Sequence, residues 1–156
     1  MNLKRILLVD DNPHDRELAL NALQQNNLAN DVVTLRDGVE ALDYLYRRGE
    51  FATRPNIHPA VILLDLKMPK VDGLEVLQQI KSNPELQMIP VVIMTSSREE
   101  QDLVRSYKLG ANAYVVKPLN FHEFIEAIRV LGSFWAVLNE LPPAGSQPPF
   151  APSPDL

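Results

Sequence analysis

Four short apolar segments of this chain each end in polar residues whose types suit metal or phosphoryl chemistry. These residues are Asp10 with Asp11, then Asp65, Thr95 and Lys117. Sites in open α/β sheets form at the carboxyl ends of the strands. If the four segments are neighbouring parallel strands, three carboxylates, a hydroxyl and an ammonium group meet at one edge.

Three carboxylates that converge on one point repel each other, and a hard divalent cation such as Mg²⁺ relieves that repulsion. An aspartate oxygen left free by the metal is able to attack phosphorus and form an acyl phosphate. Lys117 can neutralise a phosphoryl oxygen and the Thr95 hydroxyl can bind one. This set of groups is sufficient for phosphoryl transfer to a side chain, which depends mainly on positioning and charge neutralisation.

Each residue also has a plain structural explanation when it is taken alone. Asp10 and Asp11 can cap a strand–helix turn, and Asp65 can lie in a surface turn. Thr95 can end a strand as a β-branched residue, and Lys117 can be a solvated edge lysine. Matching chemistry at four strand ends favours a shared site over four unrelated turn residues.

Five apolar segments predict the strands. They are short and rich in β-branched residues, and several are continuous rather than alternating, which is typical of strands buried on both faces of a parallel sheet. The segments are residues 6–9, 32–35, 60–64, 91–94 and 113–116.

Helices are predicted between and after these strands. Each predicted start has a capping residue followed by an acid three positions later. The pairs are Asn12 with Asp15, Asp37 with Glu40, Asp72 with Glu75, Ser97 with Glu100, and Asn120 with Glu123. Gly110 is predicted to stop the fourth helix. The alternation predicts a (βα)₅ chain that forms a doubly wound, parallel, five-stranded sheet of flavodoxin-like type, with an extended last helix.

Composition limits the function classes. The 156 residues carry a net charge of −5 and no cysteine, which argues against nucleic-acid binding, disulfides and thiolate chemistry. No apolar stretch is long enough to span a membrane, and the cytoplasm is the expected location. We expect one domain over residues 1–141 and a disordered tail over residues 142–156, which contain six prolines.

The residues at the strand ends resemble the receiver domain of two-component response regulators. The similar stretches are Ile-Leu-Leu-Val-Asp-Asp at 6–11, Leu-Leu-Asp-Leu-Lys-Met-Pro at 63–69 with Asp72-Gly73, Ile-Met-Thr-Ser at 93–96, and residues 110–118 ending in Lys-Pro. The resemblance covers about residues 3–131. It implies a signalling protein whose only catalysis is its own phosphorylation and dephosphorylation.

The resemblance assigns a role to each site residue. Asp65 is the implied phosphoacceptor, Asp11 a direct Mg²⁺ ligand, Asp10 a ligand through water, and the Lys67 backbone carbonyl a further ligand.

Thr95 and Tyr114 are the implied switch pair, and Lys117 contacts the phosphoryl group. The Lys117–Pro118 bond is cis in that family. The positions of Lys67 and Ser97 tune how fast the acyl phosphate hydrolyses.

A closer similarity is to the small response regulators that partner phytochrome histidine kinases. The long loop at residues 47–59 and the aromatic pair Phe134-Trp135 support it. The implied partner is a phytochrome-type sensor kinase, and output is by conformational switching and protein contacts. The alternatives are a phosphorelay intermediate that hands its phosphoryl group to a histidine phosphotransfer protein, and a non-switching interaction module.

A homodimer is expected from the last predicted helix. Phe134, Val137 and Leu141 continue a second apolar stripe that begins at Val130, and one helix cannot turn two stripes toward one sheet. The surplus surface predicts a twofold interface. The alternative is an extension that folds back on its own domain.

Two other function classes share the predicted fold. A haloacid-dehalogenase-like phosphohydrolase needs a second aspartate two residues after its nucleophile, and that position is Lys67 here. A flavodoxin-like cofactor binder needs a Ser/Thr-rich phosphate loop after the first strand, where this chain has acidic residues. Both are therefore rejected.

Overall fold

The structure is a computed structural model that describes residues 5–25, 31–96, 98–117 and 121–133, with the backbone alone described at 121, 124, 128 and 131–133. The predicted extension at residues 134–141, with Phe134, Val137 and Leu141, lies outside these ranges. So do the tail at 142–156, Pro118, Ser97 and the predicted cap Asn120 of the fifth helix. No helix of the described ranges is long and apolar enough to cross a membrane.

Five parallel strands form one sheet in the order β2-β1-β3-β4-β5. The strands are β1 Ile6–Val9, β2 Val32–Leu35, β3 Val61–Leu64, β4 Val91–Thr95 and β5 Ala113–Val116. This confirms the predicted doubly wound (βα)₅ architecture. The bounds differ at two places only, since β3 begins one residue later than predicted and β4 extends through Thr95.

Five helices follow the strands, and three of their predicted caps are present. The helices are α1 Pro13–Gln25, α2 Gly38–Tyr46, α3 Gly73–Ser82, α4 Glu100–Lys108 and α5 Phe121–Ser133. Asn12, Asp37 and Asp72 each accept a hydrogen bond from a backbone N–H in the first turn of α1, α2 and α3. These caps set where the first three helices start, at the carboxyl edge of the sheet.

The predicted start of the fourth helix is wrong. Ser97 was expected to cap it, but the N-cap residue is Glu99, which makes no side-chain cap hydrogen bond. The end is confirmed: Leu109 is the C-cap, and Gly110 follows it with a φ of 103°. Glycine adopts that conformation without the steric penalty that a Cβ imposes.

The side chains of the inner strands alternate between two apolar clusters, one on each face of the sheet. Leu7, Ile62 and Ile93 pack with α2 and α3. Leu8, Leu63 and Met94 pack with α1, and Ile125 of α5 joins this cluster. Burying both faces explains the continuous apolar runs in the sequence, since neither face of β1, β3 or β4 meets water.

The loop at residues 47–59 is more ordered than a plain connection. It contains one 3₁₀ turn, Gly49–Phe51. The Arg54 guanidinium stacks 4.1 Å from the centre of the Tyr44 ring and donates a 2.6 Å hydrogen bond to the Tyr44 carbonyl. The loop is thereby fastened to the carboxyl end of α2, at the edge of the sheet opposite the aspartates.

Gly73 brings the start of α3 against the chain that carries Asp65. A Cβ at residue 73 would lie 2.2 Å from the Asp65 carbonyl oxygen and 2.7 Å from the Leu66 Cα. The Gly73 N–H also donates a 2.9 Å hydrogen bond to the Leu66 carbonyl. Only glycine allows this approach, so the loop after Asp65 is closed by backbone contact.

We predict that Gly73→Ala lowers the free energy of unfolding by about 1–3 kcal/mol, because backbone atoms cannot yield to the added methyl group as a side chain can. Urea denaturation measures the change. Gly49→Asn is the matched control, since its nearest neighbour is 3.8 Å from a Cβ and asparagine tolerates the φ of 61° there. Equal midpoints for Gly73→Ala and the parent protein would contradict the close packing.

Candidate functional site

The carboxyl edge of the sheet brings the predicted strand-end residues together. β1 and β3 pair in register, with Val9 beside Leu64. The next residues, Asp10 and Asp65, continue this pairing, since the Asp65 N–H donates a 3.0 Å hydrogen bond to the Val9 carbonyl. The two aspartates therefore leave adjacent strands side by side, which register alone dictates.

Asp10, Asp11 and Asp65 form a carboxylate cluster whose ligand oxygens all lie within 4.8 Å of one another. Asp10 and Asp65 are buried, and Asp11 is exposed. Burial raises the pKa of Asp10, a hydrogen bond from Lys117 opposes the rise, and the Asp65 charge adds to it. The cluster offers hard oxygen donors at short spacing, one of them open to solvent, and so fits an oxygen-preferring divalent ion.

Lys117 reaches this cluster from β5, two strands away from β3. Its Nζ lies 2.6 Å from Asp10 Oδ2, 2.8 Å from Asp15 Oδ2 and 3.5 Å from Asp65 Oδ2. Burial lowers the pKa of the Lys117 ammonium, but hydrogen bonds to Asp10 and Asp15 outweigh burial and raise the pKa above its usual value. The site thus holds a permanent cation beside Asp65.

Thr95 and Tyr114 lie on neighbouring strands. Thr95 is the last residue of β4, which separates β3 from β5, and Tyr114 is on β5 itself. Thr95 ends β4 and is fully buried. Its carbonyl accepts a 2.8 Å hydrogen bond from the Lys117 N–H, which sets the height at which the lysine leaves β5. Tyr114 pairs with Ile93, is half-buried, and packs against the α2 and α3 cluster. The two predicted switch residues therefore lie on β4 and β5, the neighbouring strands between β3 and Lys117.

Lys67 lies two residues beyond Asp65, as the resemblance requires of the residue that lends a carbonyl ligand. Its ammonium pairs with Asp102 of α4 at 3.1 Å. The Asp102 side chain is only 7% exposed, whereas that of Lys67 is 60% exposed. The loop after β3 is thus tied to the first turn of α4, a contact that spacing did not predict.

Asp15 is the site residue that the sequence analysis missed. Its N–H donates to the Asn12 cap, as predicted, but its carboxylate does not return to the Asn12 N–H. That N–H donates to Asp10 Oδ1 at 2.9 Å, and the Asp15 carboxylate binds Lys117. A signal was available, since the first turn of α1 begins at the same edge as the strand ends.

Arg16, the next residue on α1, also reaches the site. Its Nη1 donates a 2.7 Å hydrogen bond to the Asp10 carbonyl. This contact holds the end of β1 to the first turn of α1. The sequence carried no pattern that distinguished Arg16 from a solvated helix residue.

Comparison with known proteins identifies relatives over most of the chain. The family model described as the response regulator receiver domain matches residues 6–129. Response regulator Rcp1 of Synechocystis sp. is 40% identical over 141 residues, which are 90% of this chain and 95% of Rcp1.

Solved structures have the same fold. The phosphorylated cyanobacterial phytochrome response regulator RcpA is 42% identical with a TM-score of 0.84, covering 90% of this chain and 99% of RcpA. The bacteriophytochrome response regulator AtBRR is 63% identical with a TM-score of 0.72, covering 90% of this chain and 100% of AtBRR. Rcp1 has been solved in a Mn²⁺-bound form, with a TM-score of 0.82, 40% identity, and coverage of 89% of this chain and 99% of Rcp1.

We predict that a divalent ion stabilises this protein through the carboxylate cluster. Mg²⁺ at 100 times its Kd should raise the free energy of unfolding by about 2.7 kcal/mol. Asp11→Asn should lose most of this increment, and it should also make the metal-free protein more stable because one of the repelling charges is gone. Thermal unfolding at constant ionic strength, with and without Mg²⁺, measures both changes.

Glu50→Gln is the matched control, because Glu50 is an exposed acid in the 3₁₀ turn at the opposite edge. It should retain the full Mg²⁺ increment. An undiminished increment in Asp11→Asn would show that the ion binds elsewhere.

Proposed function

This chain belongs to the response regulator receiver family, and from that membership and the site geometry we propose that it accepts a phosphoryl group on Asp65 in a Mg²⁺-dependent reaction. The observation that carries the proposal is the position of the Lys117 Nζ, 3.5 Å from Asp65 Oδ2, beside three clustered carboxylates. A nucleophile, a metal-ligand set and a cation thus lie within reach of one phosphoryl group. Relatives described as phytochrome and bacteriophytochrome response regulators, one of them in its phosphorylated form, support the same assignment.

The proposed donor is a phosphohistidine of a sensor kinase. A carboxylate oxygen of Asp65 forms a bond to phosphorus as the phosphorus–nitrogen bond breaks, and the imidazole leaves with the electron pair. Lys117 neutralises charge on a phosphoryl oxygen during transfer, since this reaction depends mainly on positioning and charge neutralisation. Asp65 is buried but its oxygens border the exposed Asp11, so the nucleophile is approached from the solvent side.

Mg²⁺ would be held by Asp11 and Asp65 directly, by Asp10 through water, and by the Lys67 backbone carbonyl. When bound, the ion supplies positive charge to the phosphoryl oxygens and offsets the repulsion among the carboxylates. The donor set supports this assignment because it consists of oxygens only. The Asn12 N–H donates a 2.9 Å hydrogen bond to Asp10 Oδ1, which would orient this carboxylate toward a water ligand of the ion.

Phosphorylation is proposed to switch the side of the protein that contains α4, β5 and α5. The modification adds roughly 1.5–2 negative charges and strong acceptor oxygens. Thr95, buried at the end of β4, is suited to donate a hydrogen bond from its hydroxyl to such an oxygen. Tyr114 is partly buried and is suited to repack beside Thr95. The Lys67–Asp102 pair offers a second link from the phosphorylated loop to α4.

The proposed upstream partner is a phytochrome-type histidine kinase, with the cytoplasm as the site of action. Support comes from relatives described as phytochrome or bacteriophytochrome response regulators. The ordered loop at residues 47–59, held by Arg54, is a feature on which specificity for such a partner could rest. A phosphorelay intermediate is the second candidate, and phosphoryl transfer from this chain to a histidine phosphotransfer protein would favour it.

The homodimer remains part of the proposal. Val130, the described member of the second apolar stripe, is 55% exposed on α5. The other members proposed for the interface are Phe134, Val137 and Leu141. A large apolar side chain that stays exposed within the described part of α5 supports a partner for that face.

We predict that the protein gains the mass of one phosphoryl group when incubated with acetyl phosphate and Mg²⁺. Asp65→Asn should show no gain, because an amide oxygen is not nucleophilic enough to attack phosphorus. Intact-protein mass spectrometry measures the result. Asp72→Asn is the matched control, since it makes the same change in an exposed residue whose capping role asparagine preserves.

A mass gain that persists in Asp65→Asn would overturn the assignment of the acceptor. Steady release of phosphate over many turnovers, without an accumulated modified protein, would favour a hydrolase. Transfer assays against a panel of histidine kinases then test the partner. A preference for kinases other than phytochrome-type ones would contradict the proposed pathway.

We predict that Phe134→Asp with Val137→Asp produces a folded monomer, because two buried carboxylates cannot be satisfied in an apolar interface. Light scattering measures the mass, and circular dichroism confirms folding. Ile57→Asp is the control, since Ile57 is 60% exposed in the loop at residues 47–59. An unchanged dimer mass in the double variant would rule out this interface.

A further inference from the structure

Asp15 binds the one ammonium group that the phosphorylation site depends on. Its Oδ2 lies 2.8 Å from the Lys117 Nζ, and Asp10 Oδ2 lies 2.6 Å from it on the other side. Asp65 Oδ2, at 3.5 Å, is within ion-pair range but beyond a strong charge-assisted hydrogen bond. In this arrangement the strongest contacts of Lys117 are to β1 and α1, and not to the proposed phosphoacceptor.

A phosphoryl group on Asp65 adds a new hydrogen-bond acceptor for the Lys117 ammonium. An ammonium has three donors, and a phosphoryl oxygen 3 Å or so away competes for one of them. Asp10 and Asp15 already accept two of these donors and hold the Nζ 3.5 Å from Asp65 Oδ2, so a closer approach to the phosphoryl oxygen requires Lys117 to lengthen or break one of those two bonds. Asp10 and Asp15 differ in whether water can solvate the carboxylate once the lysine has moved away.

Solvent access decides which partner releases Lys117. The Asp15 side chain is 26% exposed, whereas those of Asp10 and Lys117 are 6% and 11% exposed. Water can solvate the Asp15 carboxylate after the lysine moves, so releasing it costs little. Releasing Asp10 would leave a carboxylate that is 6% exposed and has little solvent to replace the lysine, so that release costs more unless a metal ion offsets the charge.

Asp15 also carries charge of the wrong sign for the modified state. Three carboxylates already lie within 3.5 Å of this ammonium, those of Asp10, Asp15 and Asp65, and Asp11 belongs to the same acidic cluster. A dianionic phosphoryl group next to them is repelled by each, and Asp15 has no proposed role as a metal ligand that would offset its repulsion. Both effects of Asp15, holding the lysine and repelling the phosphoryl group, favour the unmodified protein.

We propose that Asp15 is a positioning residue that holds the Lys117 ammonium toward α1 in the unmodified protein and so restrains phosphorylation of Asp65. The inference rests on the proposed function. Asp15 lies on α1 and is not one of the strand-end residues to which the family resemblance assigned a role. Removing its charge should let Lys117 move to the phosphoryl group without first breaking a contact.

The test uses beryllofluoride, a phosphoryl analogue, prepared from BeCl₂ and NaF and titrated at saturating Mg²⁺ by calorimetry. Asp15→Asn should bind it about 3–10 times more tightly than the parent protein, the range expected for losing one partly exposed charge pair. Asp15→Glu, which retains the charge, should return affinity toward the parent value. Glu17→Gln is the matched control, since it removes an exposed charge from the same helix, and it should bind as the parent does.

A second readout tests the contact without any phosphoryl chemistry. In the metal-free protein, the NMR signal of the Lys117 ammonium should shift in Asp15→Asn and stay in place in Glu17→Gln. Unchanged or weaker beryllofluoride binding by Asp15→Asn, or equal tightening by Glu17→Gln, would overturn the inference. If the parent protein binds no beryllofluoride, the proposed function fails. If the Lys117 ammonium signal does not move in Asp15→Asn, the contact between Asp15 and Lys117 is refuted instead.

Discussion

The buried ammonium of Lys117 is what allows so many carboxylates to share one edge of the sheet. Asp10 and Asp65 are almost fully inaccessible, and two carboxylates buried side by side in a medium of low polarity repel each other strongly. Lys117 lies within 3.5 Å of both. One cation does not balance the whole group, and burial still raises the pKa of Asp10. The remaining negative charge suits the site to a divalent ion.

Sheet order makes this contact possible. β5 is an edge strand, and β4 separates it from β3. Neighbouring strands are about 4.8 Å apart, so a group on β5 must cross roughly 10 Å to reach the line of β3. The long lysine side chain covers part of this gap and the aspartate side chains cover the rest. The hydrogen bond from the Lys117 N–H to the Thr95 carbonyl fixes the point from which the lysine side chain starts. A shorter cationic side chain on β5 could not bind acids from β1 and α1.

The loop after β3 connects the same site to the rest of the fold. Gly73 lets α3 begin against the backbone of Asp65, so the loop has little freedom to move away from the sheet. Lys67, within that loop, pairs with the buried Asp102 of α4. The loop after β3 therefore links Asp65 directly to both α3 and α4. This arrangement suits a protein whose modification must be sensed by partners at a distance from the modified atom.

Sequence alone determined the order of the elements, the parallel sheet and the strand-end residues, because continuous apolar runs and capping residues report local physics directly. It could place Asp10, Asp65, Thr95 and Lys117 at one edge, since β-strand register needs no side-chain detail. The tertiary structure alone decided that Asp15 binds Lys117 and that Lys67 turns to Asp102. In the sequence, an acid in the first turn of a helix that caps the helix looks the same as one that binds a distant cation. Only the packing of α1 and α4 on the sheet brings each lysine within 3 Å or so of its acid.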